Sequence, residues 1–554
     1  MNRTAEAAET FAQRWRRAVT EVGERTFLVF EASDGAVTEL TYGQMDDLVG
    51  RVAAGLVDRG ARPGSAVHLV QANSIGFVAT WLACTTLGAW IVPSDPQAAV
   101  GELAEQLRRT HPAVGVCSPS RSADYREAVA LAGFPVDVVD IDEDDVSLDA
   151  LCGMPPAPPR PVAPDDLLAV MFTSGTTSAP KGVKLTQANY AFAGDVMAAA
   201  AGLDRFDRQF VVLPLFHANA QYYSFAAAIC AGASVALMHA FSASRFVEQA
   251  RRHAVTHASL FAAPIRMILS RTAPGTAPLG LHHTWFAQNL SSDHYAAISA
   301  LFGCRPRQLY GMTETVPAVL TNPAIGSVPT SMGTPTLGCH VRVVDEDGEP
   351  VAPGESGAIQ VGGVPGHTLF RGYLDDPVTT AAAIVERDDG ERPGGGRHRN
   401  GFVWFDTGDR ATVNGDGFHY FDGRRSDVLK VAGENVSIVE VEHVLGEHPA
   451  VEEVAVVGAA DPVRDEVPEA FVVLTATAGG DPAAAAAELD QWAGQHLAPS
   501  KRPRAFHVVE QLPRTSVGKI RKFLLAPEAA PPARTQSVGD DESAHGDDHA
   551  VGRQ

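Results

Sequence analysis

Apolar and polar positions alternate between helical and strand-like spacing in the first part of the chain. Residues 42–60, YGQMDDLVGRVAAGLVDRG, have the apolar spacing of an amphipathic helix that ends at Gly60. The stretch AVHLV (66–70) is a short apolar strand, and FVATWLACTTLGAWIV (77–92) predicts a helix that runs into another strand. This alternation indicates an α/β architecture.

The pattern changes along the chain. A proline-rich connector occupies 153–164, and LLAVMF (167–172) is a buried type of strand. After residue 340, shorter strands predominate, with hairpin signals at DEDG (345–348) and NGDG (414–417). Residues 386–400 are predicted to form a flexible charged loop, and 427–525 to form a last compact segment of mixed strands and helices.

Length and charge limit the classes of protein. A chain of 554 residues is too long for one ordinary core, so two or more domains are expected. The formal net charge of -22 argues against a nucleic-acid or anionic-membrane partner, and no apolar run reaches the length of a membrane span. Any anionic substrate therefore requires local hydrogen-bond donors and cations.

The cysteines give little sign of covalent or metal chemistry. Six are scattered without a C-x-x-C pair, at positions 84, 117, 152, 230, 304 and 339. This pattern argues against a disulfide framework or a zinc site, favours buried core thiols, and fits a reducing cytoplasm.

The stretch VMFTSGTTSAPKGVKLT (170–186) is the first candidate for chemistry. It is not a Walker A loop, because Pro180 stands where the second glycine belongs and Gly182 follows Lys181. Glycines, clustered hydroxyls and a lysine nevertheless suit a phosphate, and the stretch follows a strand and precedes a predicted helix, TQANYAFAGDVMAAA (186–200). By itself it fits a phosphate cradle or a polar surface turn.

Four further segments belong with this loop. They are LYGMTET (309–315), FVWFDTGDRA (402–411), DGRRSDVLKVAGENVSIVEVE (422–442) and LPRTSVGKIRK (512–522). Each alone has an ordinary reading, such as a helix cap or a solvated surface charge. Together and in this order they resemble the adenylate-forming superfamily, which includes acyl-CoA synthetases, luciferases and peptide-synthetase adenylation domains. The resemblance runs from about residue 40 to residue 525.

The resemblance implies a fold and a reaction. The α/β fold would have a large N-terminal domain of several subdomains and mixed sheets (1–423), a hinge (424–426) and a small α+β C-terminal domain that swivels (427–525). The composition of residues 526–554 predicts a disordered acidic tail. The enzyme would be an ATP-dependent, AMP-forming ligase that uses Mg2+. It would make an acyl-adenylate from a carboxylic acid, release pyrophosphate, and pass the acyl group to a thiol, with CoA as the expected co-substrate.

The resemblance also implies roles for individual residues. The loop 173–182 would hold the β- and γ-phosphates, Tyr310 would stack on adenine, and Thr313 would contact the α-phosphate. Asp409, helped by Arg424, would bind the ribose, and Lys519 would reach between the carboxylate and the α-phosphate. The nucleotide-binding and metal-binding candidates are Thr173, Ser174, Gly175, Thr176, Thr177, Lys181, Tyr310, Asp409 and Arg424, with Glu314 and Thr176 as Mg2+ ligands. The hinge position is usually Asp or Lys in the family, and here it is Ser426.

The acid pocket departs from the family pattern. LPLFHANAQYYSF (213–225) would place His217 beside the reacting centre, unless His217 is only a packed histidine. Many members carry Gly-Gly-Ala before the Tyr310 motif, whereas this chain has Ala287, Gln288 and Asn289. The candidate pocket residues are Asn219, Gln221, Gln288, Asn289, Gly311, Lys430 and Gly433, the last two near the thiol tunnel.

Two enzymatic hypotheses follow. The first is a ligase for a small or aromatic carboxylic acid, since the run NLS resembles carnitine–CoA ligase-like members. The second is a diazotase of bacterial secondary metabolism, which activates nitrite with ATP for attack by an aryl amine. A non-catalytic relative is disfavoured because Lys519, Glu314 and Asp409 are all present. Small molecules are the expected partners, and homo-oligomerisation stays open.

Overall fold

The computed structural model describes residues 8–173, 180–385, 401–424, 427–431, 434–461, 464–475, 481–514 and 520–525. The strands within these ranges are β1 (Thr26–Glu31), β2 (Val37–Thr41), β3 (Ala66–Val70), β4 (Trp90–Pro93), β5 (Val114–Cys117), β6 (Asp137–Asp140), β7 (Leu167–Thr173), β8 (Lys181–Thr186), β9 (Arg208–Val211), β10 (Ser234–Met238), β11 (His257–Phe261), β12 (His283–Ala287), β13 (Arg307–Tyr310), β14 (Leu320–Thr321), β15 (Thr334–Pro335), β16 (His340–Val344), β17 (Ser356–Gly363), β18 (Gly372–Tyr373), β19 (Ile384–Val385), β20 (Val403–Val413), β21 (His419–Arg424), β22 (Val428–Val431), β23 (Glu434–Ser437), β24 (Val451–Asp461), β25 (Asp465–Leu474) and β26 (Ala505–Val508).

The helices begin at polar caps that the sequence supplies. Thr10, Thr41 and Thr186 each accept a hydrogen bond from the backbone N–H three residues on, and the side chain at that position bonds back to the cap. The α-helices of the described residues are α1 (Phe11–Val22), α2 (Tyr42–Asp58), α3 (Ile75–Leu87), α4 (Val100–Thr110), α5 (Ser122–Ala132), α6 (Gln187–Ala201), α7 (Ala227–Ala231), α8 (Phe246–Arg252), α9 (Ala262–Arg271), α10 (Ser292–Phe302), α11 (Pro377–Ala383), α12 (Ile438–Gly446) and α13 (Pro482–His496).

Two large sheets enclose the main core. One runs in the order β15-β14-β13-β12-β11-β9-β10-β1-β2, and the other in the order β18-β8-β7-β4-β3-β5-β6. The helices α1, α2, α3, α6 and α7 share one apolar cluster with the facing sides of both sheets. Helix α3 is buried along its whole length, as expected for a helix that is apolar all round. The outer faces carry α8, α9 and α10 on the first sheet, and α4 and α5 on the second.

A third sheet and a separate C-terminal domain complete the fold. The third sheet has the order β16-β17-β20-β19, with β21 paired to β20. The C-terminal sheet has the order β23-β22-β25-β24, with β26 paired to β25, and has its own core with α12 and α13. The α/β class, the large N-terminal domain of mixed sheets and the small C-terminal domain predicted above are therefore confirmed.

The sequence patterns located these elements with small boundary errors. The predicted helix at 42–60 is α2, and the strands predicted at 66–70 and 167–172 are β3 and β7. The turn signal at 414–417 joins β20 to β21. The predicted loop at 386–400 and the predicted tail at 526–554 lie outside the described residues.

One local prediction was wrong. The phosphate-loop candidate was expected to lead from a strand into a helix, but β8 stands between them and pairs antiparallel with β7, with Thr173 opposite Lys181. The segment KGVKLT is extended because its apolar residues pack into the seven-stranded sheet, and α6 begins only at Gln187. Strands β7 and β8 therefore flank the phosphate-loop candidate, and α6 follows β8.

The structure gives the state of the cysteines and the character of the described helices. All six cysteines are free thiols, although only Cys84 and Cys117 are fully buried and the other four are half-buried. Among the described helices, none combines the length and apolar character needed to cross a bilayer.

A buried carboxylate ties the nine-stranded sheet to α8. Glu31 ends β1 with its side chain 1% exposed, accepts from Gln249 at 2.7 Å, and contacts the His253 ring at 2.6 Å and the Arg245 guanidinium. Burial acts to raise the pKa of Glu31, but the hydrogen bonds from Gln249 and His253 and the charges of His253 and Arg245 outweigh it, so the pKa is lowered.

We expect Glu31→Gln to destabilise the protein by about 3 kcal/mol at neutral pH, because the buried His253 ring and the partly exposed Arg245 guanidinium lose the carboxylate that they contact. A carboxyl whose pKa is lowered on folding contributes stability that is complete above its unfolded pKa and is lost as the pH falls through the folded value. The difference between variant and wild type should therefore shrink as the pH falls below 4.5.

Urea unfolding at several pH values measures this effect. Glu39→Gln on the neighbouring strand β2 is the matched control, since Glu39 is exposed and accepts one hydrogen bond from Thr26. Equal losses in the two variants would contradict a special role for the Glu31 cluster.

Candidate active site

Four parallel strands deliver the candidate residues to one edge of the nine-stranded sheet. Strands β9, β11, β12 and β13 run parallel to one another, so the segments that follow them open at the same edge. These segments contain His217, Gln288 and Asn289, and the turn Gly311–Glu314. Residues that are far apart in the sequence therefore meet at one site, as expected for ligand binding in a sheet of this kind.

The first cluster at this edge is built around Asp409. Its carboxylate is 6% exposed, accepts from the Tyr310 hydroxyl at 2.7 Å, and pairs with the Arg424 guanidinium at 3.2 Å. Strand pairing sets this geometry, because Asp409 on β20 lies opposite Arg424 on β21. Burial and the Asp409 charge raise the pKa of Tyr310 well above its ordinary value, so the phenol stays a donor. The cluster offers an aromatic ring and a carboxylate held in fixed orientation.

The second cluster is built around Glu314. This carboxylate is 5% exposed and accepts from the Tyr373 hydroxyl at 3.0 Å, while the Lys181 ammonium lies 5.1 Å from the centre of the Tyr373 ring. Burial raises the pKa of Glu314, although the Tyr373 hydrogen bond and the Lys181 charge act in the opposite direction. The turn that carries Glu314 is constrained, since the buried β-branched Val316 has φ of +71°. A buried carboxylate with a nearby ammonium suits a cation and polyphosphate.

Arg109, which lies outside the phosphate-loop candidate, holds the residues at the base of that loop. The Arg109 guanidinium donates to the carbonyls of Pro180 and Leu374 at 2.7 and 2.9 Å, and stacks over Phe172. The Thr173 hydroxyl lies 3.5 Å from the Lys181 carbonyl across the hairpin. The loop residues Ser174, Gly175, Thr176 and Thr177 lie outside the described residues.

The segment after β9 forms a buried π-helix over residues Asn219–Ala226. Gln221 is fully buried, donates to the Leu215 carbonyl at 2.6 Å and accepts from Tyr190 at 2.5 Å, so the structure places it in the scaffold and not at a pocket surface. Asn219 is buried at the start of the π-helix. His217 is half-buried, with its ring 4.4 Å from the ring of Phe216. π-Helical turns are frequent at functional sites.

The altered stretch after β12 has a constrained backbone. Gln288 has φ of +72°, a conformation in which glycine is favoured, and its side chain is exposed. The amide of Asn289 is held 3.1 Å from that of Gln308 on β13. Gly311 is required for packing, because a Cβ there would lie 3.0 Å from the Tyr223 hydroxyl and 2.9 Å from the Pro317 carbonyl.

The remaining candidates lie at or near the C-terminal domain. Lys430 on β22 is exposed and lines a cleft of about 1850 Å³ that Asn289 and Arg410 also line from the N-terminal domain. Thr313 is half-buried in the turn before Glu314. Ser426, Gly433 and Lys519 lie outside the described residues.

Comparison with known proteins gives the family. Residues 15–374 match the model of the AMP-binding enzyme family, and residues 440–519 match that of the AMP-binding enzyme C-terminal domain. The chain belongs to the AMP-binding enzymes. It is an ATP-dependent, AMP-forming ligase.

Relatives of this ligase align over nearly its whole length. The crotonobetaine/carnitine–CoA ligase of Salmonella paratyphi C (strain RKS4594) is 30% identical over 531 residues, 93% of this chain and 98% of the relative. The structure of ATP-bound MatB from Rhodopseudomonas palustris has a TM-score of 0.79 and 25% identity, covering 93% and 98% of the two chains. The o-succinylbenzoate–CoA synthetase MenE of Bacillus subtilis, in complex with the acyl-adenylate intermediate OSB-AMP, has a TM-score of 0.77 and 27% identity, covering 92% and 97%.

Sequence reasoning missed two residues of this ligase's site. Tyr373 joins Glu314 to Lys181, yet it lies 59 residues from Glu314 in the chain, and nothing in one sequence connects them. The one signal in the sequence was the glycine directly before Tyr373, Gly372, which the structure places in β18 with φ of +123°. Arg109 looks like any surface arginine near the end of a helix, and only the tertiary structure brings it to the loop.

We expect Tyr373→Phe to weaken Mg–ATP binding about 10-fold, which corresponds to the ~1.5 kcal/mol of a hydrogen bond to a charged group. Losing that hydrogen bond also raises the pKa of Glu314 further, so binding should weaken at a higher pH than in the wild-type ligase as the pH is lowered. Isothermal titration calorimetry across a pH series measures both effects.

The matched control is Tyr295→Phe, which removes a hydroxyl that donates to the Pro306 carbonyl away from the site. Equal Mg–ATP affinity and an equal pH profile in Tyr373→Phe and wild type would show that the hydroxyl has no part in nucleotide binding.

Proposed function

We propose that this ligase activates a small or aromatic carboxylic acid as an acyl-adenylate and transfers the acyl group to CoA. The observation that carries the proposal is the meeting of two clusters at one sheet edge, Asp409 with Tyr310 and Glu314 with Tyr373. The first suits a nucleoside and the second suits its phosphates. In the first half-reaction the acid's carboxylate oxygen attacks the α-phosphorus and pyrophosphate leaves.

The nucleotide would be bound by residues from several elements. Tyr310 would present its ring to adenine, and Asp409, oriented by Tyr310 and Arg424, would accept from the ribose hydroxyls. The hairpin from Thr173 to Lys181 would surround the β- and γ-phosphates, with Thr313 on the α-phosphate and Lys519 between that phosphate and the acid. Bringing two anions together makes positioning and charge neutralisation the main catalytic terms.

Glu314 has the properties expected of a Mg2+ ligand. It is a buried carboxylate whose pKa is raised by burial, so a bound cation would stabilise its charged form. Mg2+ prefers a carboxylate together with phosphate oxygens, and Thr176 is the second protein ligand that we propose. The ion would supply charge neutralisation of the polyphosphate, while Tyr373 holds the Glu314 carboxylate in place.

The acid pocket would lie between His217 and the stretch 287–289. Behind Gly311, the π-helix fills the interior with the rings of Tyr222 and Tyr223, both buried. The Tyr222 hydroxyl has no hydrogen-bond partner within the described residues and is close enough to Glu314 for their charges to interact. A filled interior and polar groups at the rim favour a short or flat acid over a long aliphatic chain.

Transfer to CoA would use the C-terminal domain. We propose domains at 1–423 and 427–525, joined by a hinge at 424–426, with 526–554 as a tail. Asp409 would fix the first residue of the hinge, Arg424, while Ser426 absorbs the backbone change of rotation. The cleft between the domains, lined by Lys430 and Asn289, would admit a pantetheine thiol past Gly433. The thiolate would attack the acyl carbonyl and release AMP.

The nitrite-activating alternative has no support from the relatives. The Salmonella relative is a CoA ligase and MenE is a CoA synthetase, and both act on carboxylic acids by name. The reaction of nitrite with an aryl amine is one arm of the activity assay.

We expect AMP release from Mg–ATP to require a carboxylic acid and to be completed by CoA. The assay compares a pool of small and aromatic acids plus CoA with nitrite plus an aryl amine, and the active pool is then divided. Release that needs nitrite and amine, without an effect of CoA, would contradict the proposal.

Two lysine variants test whether the AMP release comes from the proposed adenylation step. Lys519→Ala should lower the adenylation rate about 100-fold, the scale of losing one electrostatic donor to the transition state. Lys501→Ala, which breaks only a half-exposed pair with Glu440, should leave the rate unchanged. A near-normal rate in Lys519→Ala would remove that lysine from the mechanism.

The variant Gln288→Gly distinguishes a contribution of the side chain to acid binding from a contribution of the backbone to strain. Because Gln288 holds a left-handed conformation, glycine should stabilise the protein by about 1 kcal/mol, measured by urea unfolding. If the side chain contacts the acid, kcat/KM for the acid should fall as well.

Ala254→Gly is the matched control, since exposed Ala254 has φ of +48° away from the site. It should give a similar gain in stability and an unchanged kcat/KM. Unchanged kcat/KM in Gln288→Gly would show that Gln288 is only a turn residue.

A further inference from the structure

A second cluster of ligand-type side chains lies at the opposite edge of the nine-stranded sheet from the ATP site. Asp207 directly precedes β9, His257 is the first residue of β11, and His282 directly precedes β12. These strands are adjacent and parallel, so their amino ends bring the three side chains together. Strand β12 then runs five residues to the stretch at Gln288, so the two sites are about 17 Å apart at ~3.3 Å per residue.

The three side chains converge on one point. The Asp207 Oδ1 atom lies 2.9 Å from His282 Nδ1 and 3.7 Å from His257 Nδ1, and a ligand atom from each residue lies within 4.8 Å of the others. Ligands about 2.0–2.1 Å from a tetrahedral metal ion are about 3.3 Å apart, which is between the two measured distances.

Ordinary hydrogen bonding accounts for only part of this arrangement. Asp207 bonds His282, but the 3.7 Å to His257 is too long for a hydrogen bond, although the two groups face each other in a buried place. The other carboxylate oxygen, Oδ2, accepts from the backbone N–H of Asp204 at 3.0 Å, which orients the group. Oδ1 is thus directed at two imidazole nitrogens.

The surroundings allow a cation here. The nearby Arg307 side chain is engaged elsewhere, bonding His283 Nδ1 and the carbonyls of Ala200 and Asn322. The Thr256 hydroxyl contacts His257 Nδ1 at 2.8 Å and accepts from the Arg208 backbone N–H at 2.9 Å. The Arg208 carbonyl at 3.3 Å and the Asp207 carboxylate are alternative acceptors for its hydrogen, so the His257 nitrogen can bind an ion instead. The His282 side chain is 63% exposed, which leaves an open path and room for a water ligand.

We propose that Asp207, His257 and His282 form a binding site for a divalent transition-metal ion such as Zn2+, separate from the Mg–ATP site. Two imidazoles and one carboxylate suit zinc, cobalt or nickel better than magnesium or calcium. The ion would join the amino ends of β9, β11 and β12 and so stabilise the sheet that carries the ATP site. No cysteine takes part, so cysteine spacing gave no sign of it.

The test uses the full chain, free of affinity tags, stripped with EDTA and without ATP. Calorimetric titration with ZnCl2 should show one site per chain, and His282→Ala should weaken that site at least about 10-fold. Zn2+ should also raise the thermal unfolding temperature of wild type and not of His282→Ala. Because His282 is exposed, the variant is expected to fold.

His443→Ala is the matched control, because His443 is also exposed beside a carboxylate, Glu447, at 3.4 Å but has no third ligand among the described residues. This control should bind Zn2+ like wild type. Asp207→Asn should behave like His282→Ala, since an amide keeps the shape but is a poor ligand. Absence of stoichiometric Zn2+ binding, or equal affinity in His282→Ala and wild type, would overturn the proposal.

Discussion

The buried carboxylate of Asp409 connects the parts of this ligase on which its site depends. It accepts a hydrogen bond from Tyr310, at the end of a strand of the nine-stranded sheet, and pairs with Arg424, at the end of a strand of the third sheet. Arg424 is also the first residue of the proposed hinge. A desolvated charge that contacts a phenol and a guanidinium therefore joins one sheet to another beside that hinge.

Burying two carboxylates at one edge of the sheet would cost folding free energy if they lacked such partners. Asp409 contacts a phenol and a guanidinium, whereas Glu314 accepts from a phenol and has Lys181 nearby, and burial raises the pKa of Glu314. The two groups therefore suit different tasks. The charge of Asp409 is compensated by protein groups, so this residue can orient a neutral sugar. The charge of Glu314 is less well compensated, and a cation bound with ATP would stabilise it.

Two residues with a strained backbone lie at the same edge. Val316 and Gln288, both non-glycine residues, hold positive φ within the turns that follow β13 and β12. Such conformations cost about 1–3 kcal/mol each and persist only where the surrounding structure enforces them. The opposite edge of the sheet brings Asp207, His257 and His282 together, so both ends of the same parallel strands carry clusters of polar side chains.

The sequence by itself determined the local elements and the chemical types at the site. Apolar periodicity, threonine caps and glycine turns specify α2, α6 and the β20–β21 hairpin, because these depend on contacts within a few residues. The ordered motifs around Tyr310, Asp409 and Lys519 sufficed for the family. The tertiary structure alone decided that β8 follows the phosphate loop, that Gln221 belongs to the scaffold, and that Tyr373 supports Glu314. Those outcomes depend on packing between residues distant in the chain, which a local pattern does not encode.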